Sequence, residues 1–137
     1  MALLSKNEFV TMAGNIATLL FLFFIGVQLL VASGILPSSI LWGGGESELT
    51  LGRRLASVGG AVLLSFFIYV IRYRAGLLGT MPQPTFIKVL AWVVTGYMAL
   101  NSLGNFTSVN PIEKMLFGPL AILMFLACLM VSASSIE

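Results

Sequence analysis

The sequence predicts an all-α integral membrane protein, a single bundle of four transmembrane helices with short loops that occupies residues 1–137. Composition is the first reason: 58% of the residues are apolar and 9% are charged, where a soluble domain holds about 45–50% and about 25%. With a mean hydropathy of +1.04, the chain has too few polar side chains to coat a water-facing surface. The second reason is four apolar runs, at residues 9–36, 55–71, 86–103 and 112–131. Each is close to or beyond the roughly 20 residues that cross hydrocarbon at about 1.5 Å per helical residue. The third is that charges gather at or near the ends of these runs and leave their centres clear.

The first run opens behind Ser5 and Glu8, whose spacing forms a capping box, and closes at Gly34 and Pro37, which cannot continue a helix. A cleaved leader with Ala32, Ser33 and Gly34 at its cleavage site is disfavoured, because its apolar region would be about 7–15 residues long and this run is nearly twice that. Residues 37–52 form a loop, with Trp42 as an interface anchor and Gly43, Gly44 and Gly45 as a turn. The second run lies between Arg53/Arg54 and Arg72/Arg74. It is near the short limit for a span, so arginine stems are expected to snorkel at both ends.

Residues 75–85 carry Gly76, Gly79, Pro82 and Pro84 and predict a second loop. The third run has Lys88 at its start and ends around Asn101, Gly104 and Asn105. Asn110, Pro111 and Glu113 then spell a helix start: an N-cap, a proline at the first helical position and a glutamate at N3. Pro119 falls inside that fourth helix and predicts a kink one or two turns in. Four spans put both termini on one side with Lys6, Arg72, Arg74 and Lys88, against Arg53, Arg54 and Lys114 on the other. The positive-inside rule then places both termini in the cytoplasm. The sequon Asn105-Phe106-Thr107 sits too close to the membrane to be read as a glycosylation site.

The residue inventory excludes most familiar chemistry. The chain has no histidine, no aspartate and a single cysteine, Cys128. Histidine-ligated haem, zinc and di-iron sites, Ser–His–Asp and Cys–His constellations, and dithiol exchange therefore cannot be built from it. No cofactor or metal is expected, and the charges form no run that would suit nucleic acid. No carboxylate lies mid-span, which counts against proton-coupled transport, and the first run lacks the membrane glutamate expected of a minimal multidrug exporter.

Three groups of residues remain as candidates. Uncharged polar side chains inside the spans, Asn15, Thr18, Gln28, Asn101 and Asn105, must find partners in hydrocarbon; they serve either as interhelical hydrogen bonds or as a polar track. Asn101 and Asn105 with Tyr97 and Asn110 could also line a small polar site at the membrane face. Small residues four apart on the second span, Ala56 with Gly60 and Ser57 with Ala61 and Ser65, mark a helix-packing interface. Arg53, Arg54, Arg72 and Arg74 are candidate lipid head-group contacts. The expectation is a non-enzymatic scaffold or accessory subunit that works by helix–helix contacts with other membrane protein subunits or with itself, in a lipid surround. The alternatives are a small oligomeric channel or facilitator for an uncharged solute or anion, and a lipid-handling protein.

Overall fold

In the computed structural model, described here for residues 6–37 and 51–134, the chain is an all-helical four-helix bundle. Its elements are α1 (Lys6–Ser33), α2 (Leu51–Arg74), α3 (Thr85–Phe106), a π-helical turn (Glu113–Phe117) and α4 (Gly118–Ser132). All four spans, counting the π-turn with α4, are long and apolar enough to cross a membrane. The outer surface agrees with that solvent: Leu19, Val62, Leu100 and Leu123 point away from the bundle on successive helices. Ser5, Trp42 and the three glycines beside it lie outside the described residues.

Each helix boundary follows from local chemistry. α1 stops at Ser33 because Gly34 adopts φ 88°. The Gly34 and Ile35 amides then donate to the Val31 and Leu30 carbonyls at 3.1 and 3.0 Å, the two bonds of a Schellman motif. Residues 34–36, expected within the first span, therefore lie beyond the helix. α2 ends the same way: Gly76 has φ 80°, and the Gly76 and Leu77 amides donate to Tyr73 and Arg72 at 3.0 and 2.9 Å. α2 is longer than its apolar run because Arg53, Arg54, Arg72 and Arg74 are themselves helical; arginine is a strong helix former, and the last two sit where the helix dipole favours cations.

Asn110 caps the fourth span as its sequence predicts. Its Oδ1 accepts the Ile112 and Glu113 amides at 2.9 and 3.3 Å. The proline expected to kink the helix acts through the π-turn just before it. Pro119 has no N–H for the Met115 carbonyl and its ring crowds that carbonyl; the Gly118 amide accordingly donates five residues back, to Glu113.

The core is apolar and aromatic. Phe21 of α1 meets Phe67 of α2 at 6.0 Å between ring centres, and Phe67 meets Tyr97 of α3 at 5.2 Å, both edge to face. Phe24 meets Phe117 at 5.3 Å. Such pairs contribute about 0.5–1.5 kcal/mol each beyond area burial. Cys128 is fully buried among these side chains.

Candidate functional site

Two polar regions occupy opposite ends of the bundle. At the end that holds the α2–α3 loop, Arg72 Nη1 donates to Asn15 Oδ1 at 3.0 Å and to Thr18 Oγ1 at 3.2 Å. Thr18 Oγ1 in turn donates to the Gly14 carbonyl at 2.7 Å. Beside it, Arg74 is only 4% exposed; Nη1 donates to Gln83 Oε1 at 3.1 Å and Nη2 to the Ser134 carbonyl. Gln83 Nε2 returns to the Tyr73 and Arg74 carbonyls at 2.8 and 3.1 Å. This arginine therefore ties the end of α2 to the loop and to the end of α4, while Arg72 crosses to α1. Arg53 is partly buried and Arg54 exposed in the first turn of α2, at the other end.

At that other end the helices part around a cavity of about 430 Å³. Its size falls in the range of about 300–1,000 Å³ usual for small-molecule sites. The floor is apolar: Phe24, Leu64, Met98, Phe117 and Met124. The polar lining comes from Gln28, Asn101, Asn105, Thr107 and Glu113, with Tyr97 deeper beside the floor. Thr107 and Tyr97 are ten residues apart on the α3 side, so the cavity reaches about 15 Å inward at about 1.5 Å per residue, to the middle of the bundle.

The chain builds this wall through two local features. Tyr97, Asn101, Gly104 and Asn105 follow three- and four-residue spacing, which puts them on one face of α3. The short link after Thr107 folds the start of the fourth span against that face, and the Asn110 cap and π-turn hold Glu113 at the cavity, 4% exposed. Opposite, the Gln28 side chain lies over Gly60: a Cβ there would stand 2.8 Å from Nε2. Among the described residues Gln28 Oε1 is buried with no hydrogen-bond partner, an unmet demand that costs about 1–3 kcal/mol in a protein interior.

Of the polar residues singled out in the sequence, Gln28, Asn101 and Asn105 meet at the cavity, whereas Asn15 and Thr18 bond Arg72 at the far end. Phe21, fully buried against Phe67, lies between the two groups on α1. Tyr97 lines the cavity with the two asparagines, and Asn110 serves as the cap. The small residues of α2 divide: Ser57 and Ala61 are buried, Gly60 accommodates Gln28, and Ala56 and Ser65 face outward. The sequence marks Glu113 as a helix-start residue and as one of the few acids near the interface, not as a neighbour of the polar side chains inside the spans. Its cavity position needs the closed α3–α4 hairpin, and the one legible signal was its nearness along the chain to Asn101 and Asn105.

Among the described residues no group of His, Cys, Asp or Glu could hold a metal ion. Compared with protein-family models, with curated proteins and with solved structures, the chain finds no match.

Proposed function

We propose that this protein is a non-enzymatic, membrane-embedded binding protein that holds a small molecule in the cavity between α1, α3 and the π-turn. One observation carries this: a cavity of about 430 Å³ with an apolar floor and a polar wall, the pattern of ligand sites. The π-turn supports it, because single π-helical turns inside α-helices cluster at functional sites. Binding rather than conduction is favoured by the buried aromatic pair Phe21–Phe67 between the two polar regions. Counted by Lys6, Arg72, Arg74 and Lys88, both termini are proposed to be cytoplasmic, with the cavity mouth at the opposite face.

The test is native mass spectrometry of the protein released from phosphatidylcholine nanodiscs. A discrete bound mass is expected, and it should be lost from Gly104→Leu, which fills the mouth at a position where an added Cβ meets nothing within 4 Å. An identical mass spectrum for both proteins would overturn the reading.

A second reading, a scaffold or accessory subunit, is supported by Ala56, Gly59 and Ser65 on the outer side of α2. Disulfide trapping through Ser65→Cys in a Cys128→Ala background tests it. Trapping between chains at membrane dilution supports association; monomer throughout excludes this face.

A further inference from the structure

We infer that the occupant of the cavity is an uncharged primary carboxamide with an apolar tail, its head held between Gln28 and the two asparagines. This rests on the cavity reading above and specifies its ligand. The head follows from what the lining side chains still offer. Among the described residues Gln28 Oε1 is buried without a hydrogen-bond partner, so the amide on α1 calls for a donor. The terminal torsion of a glutamine is soft, which lets the amide present its oxygen to the cavity that it lines. Across the cavity, Asn105 donates one N–H to the Asn101 carbonyl at 2.8 Å and keeps its amide oxygen and second N–H. The Asn101 amide and the Tyr97 hydroxyl add both donors and lone pairs. The lining therefore mixes donors with acceptors, and most of them come from amides.

A head that suits this lining must both give and accept. A primary carboxamide has two N–H donors and a carbonyl with two lone pairs. It can donate to Gln28 Oε1 and to Asn105 Oδ1 while its carbonyl accepts from Asn101 Nδ2. A hydroxyl has one donor and leaves one of those two oxygens unanswered, and an ester has none. Charged heads fail in opposite senses: an ammonium cannot accept from the amide N–H groups, and a carboxylate cannot donate to the amide oxygens. No lysine or arginine lines the cavity to balance an anion, and Glu113 is already engaged within the chain. Burying an unbalanced charge beside an apolar floor is costly. That floor, Leu64, Met98, Phe117 and Met124, takes the tail, and methionine adapts readily to its shape.

The experiment uses the full chain in phosphatidylcholine nanodiscs and four photoactivatable hexyl probes that differ only in the head: carboxamide, methyl ester, ammonium and carboxylate. Labelled residues are read by mass spectrometry, and label in the cavity is scored against label on the outward-facing Leu100, which corrects for partitioning into lipid. The carboxamide is expected to label the cavity about tenfold above the ester, the worth of one or two hydrogen bonds, and further above both charged probes. Gln28→Met and Asn101→Leu should each narrow the gap between carboxamide and ester while ester labelling stays as it was. The comparison of heads on the parent chain does not depend on either variant folding. Equal cavity labelling by carboxamide and ester overturns the need for a donor, and equal labelling by either charged probe overturns the uncharged head. A gap that both variants leave intact overturns the assigned contacts. If native mass spectrometry shows a bound mass that Gly104→Leu loses but excess hexanamide does not displace, the ligand class is wrong and the cavity reading stands. If neither a bound mass nor any cavity label is found, both fall.

Discussion

Arg72 Nη1 lies 3.0 Å from Asn15 Oδ1, which fixes the relative height of the first two helices. Arg72 is two residues from the end of α2, whereas Asn15 is nine residues into α1. The first two turns of α1 therefore extend about 10 Å past the end of α2. Asn15 and Thr18 sit at the boundary of the span rather than in its centre, where an amide is least tolerated. The pair is solvent- or head-group-facing, so its coupling should be small, near the average of about 0.6 kcal/mol for interhelical hydrogen bonds in membranes. A double-mutant cycle of Arg72→Met and Asn15→Ala, read by unfolding in detergent, checks this; coupling above about 2 kcal/mol would mean the pair is buried by something further.

Arg74 behaves differently although it lies two residues away. It is 4% exposed and bonds Gln83, which itself bonds two α2 carbonyls. Gln83→Leu removes an acceptor from a buried guanidinium and two donors from the helix end. Hydrogen bonds to charged groups contribute about 1.5–3 kcal/mol, so a loss of that size is expected in unfolding. Gln83→Glu keeps an acceptor for Arg74 but sets an oxygen against the Tyr73 and Arg74 carbonyls that Nε2 serves, so it should recover only part of that loss. Equal, small losses for both would show that Gln83 does not hold Arg74.

The fold was legible in the sequence because its signals are local. Apolar run length gave the four spans, Gly34 and Gly76 punctuated α1 and α2, and Asn110 capped the fourth span. The site was half legible. Asn101, Asn105 and Tyr97 share a helix face by spacing alone, so their convergence could be read. Gln28 and Glu113 come from other helices, and their arrival at the same cavity depends on packing that no single-helix periodicity encodes. The same limit applies to Arg72 and Arg74, alike in sequence but separated by a helical rotation that sends one to α1 and buries the other.

Thr95 shows how one buried polar contact joins two helices. Its Oγ1 donates to the Ala91 carbonyl at 2.9 Å and stands 2.8 Å from Ser132 Oγ. Since the threonine proton is engaged, Ser132 is the donor across the helix pair. Thr95→Val keeps the volume and leaves Ser132 without its acceptor. Such a change should cost about 1 kcal/mol, and adding Ser132→Ala should recover part of it. Stability losses that simply add would show that the hydroxyls do not interact.

Gly59 and Gly60 are neighbours with opposite surroundings. An added Cβ at Gly59 meets nothing within 4 Å, whereas at Gly60 it would stand 2.8 Å from Gln28 Nε2 and 3.1 Å from Cδ. Alanine in a helix interior is favoured over glycine by about 0.5–1 kcal/mol, so Gly59→Ala should raise unfolding stability by that much. Gly60→Ala makes the same propensity gain but pushes Gln28, a flexible side chain, off its seat. Its stability should be near that of the parent, while ligand retention in nanodiscs should fall, because Gln28 forms part of the cavity wall. The comparison isolates the role of Gln28 from helix propensity. If both variants gain stability equally and retain ligand equally, Gln28 is not held over Gly60 and does not shape the site.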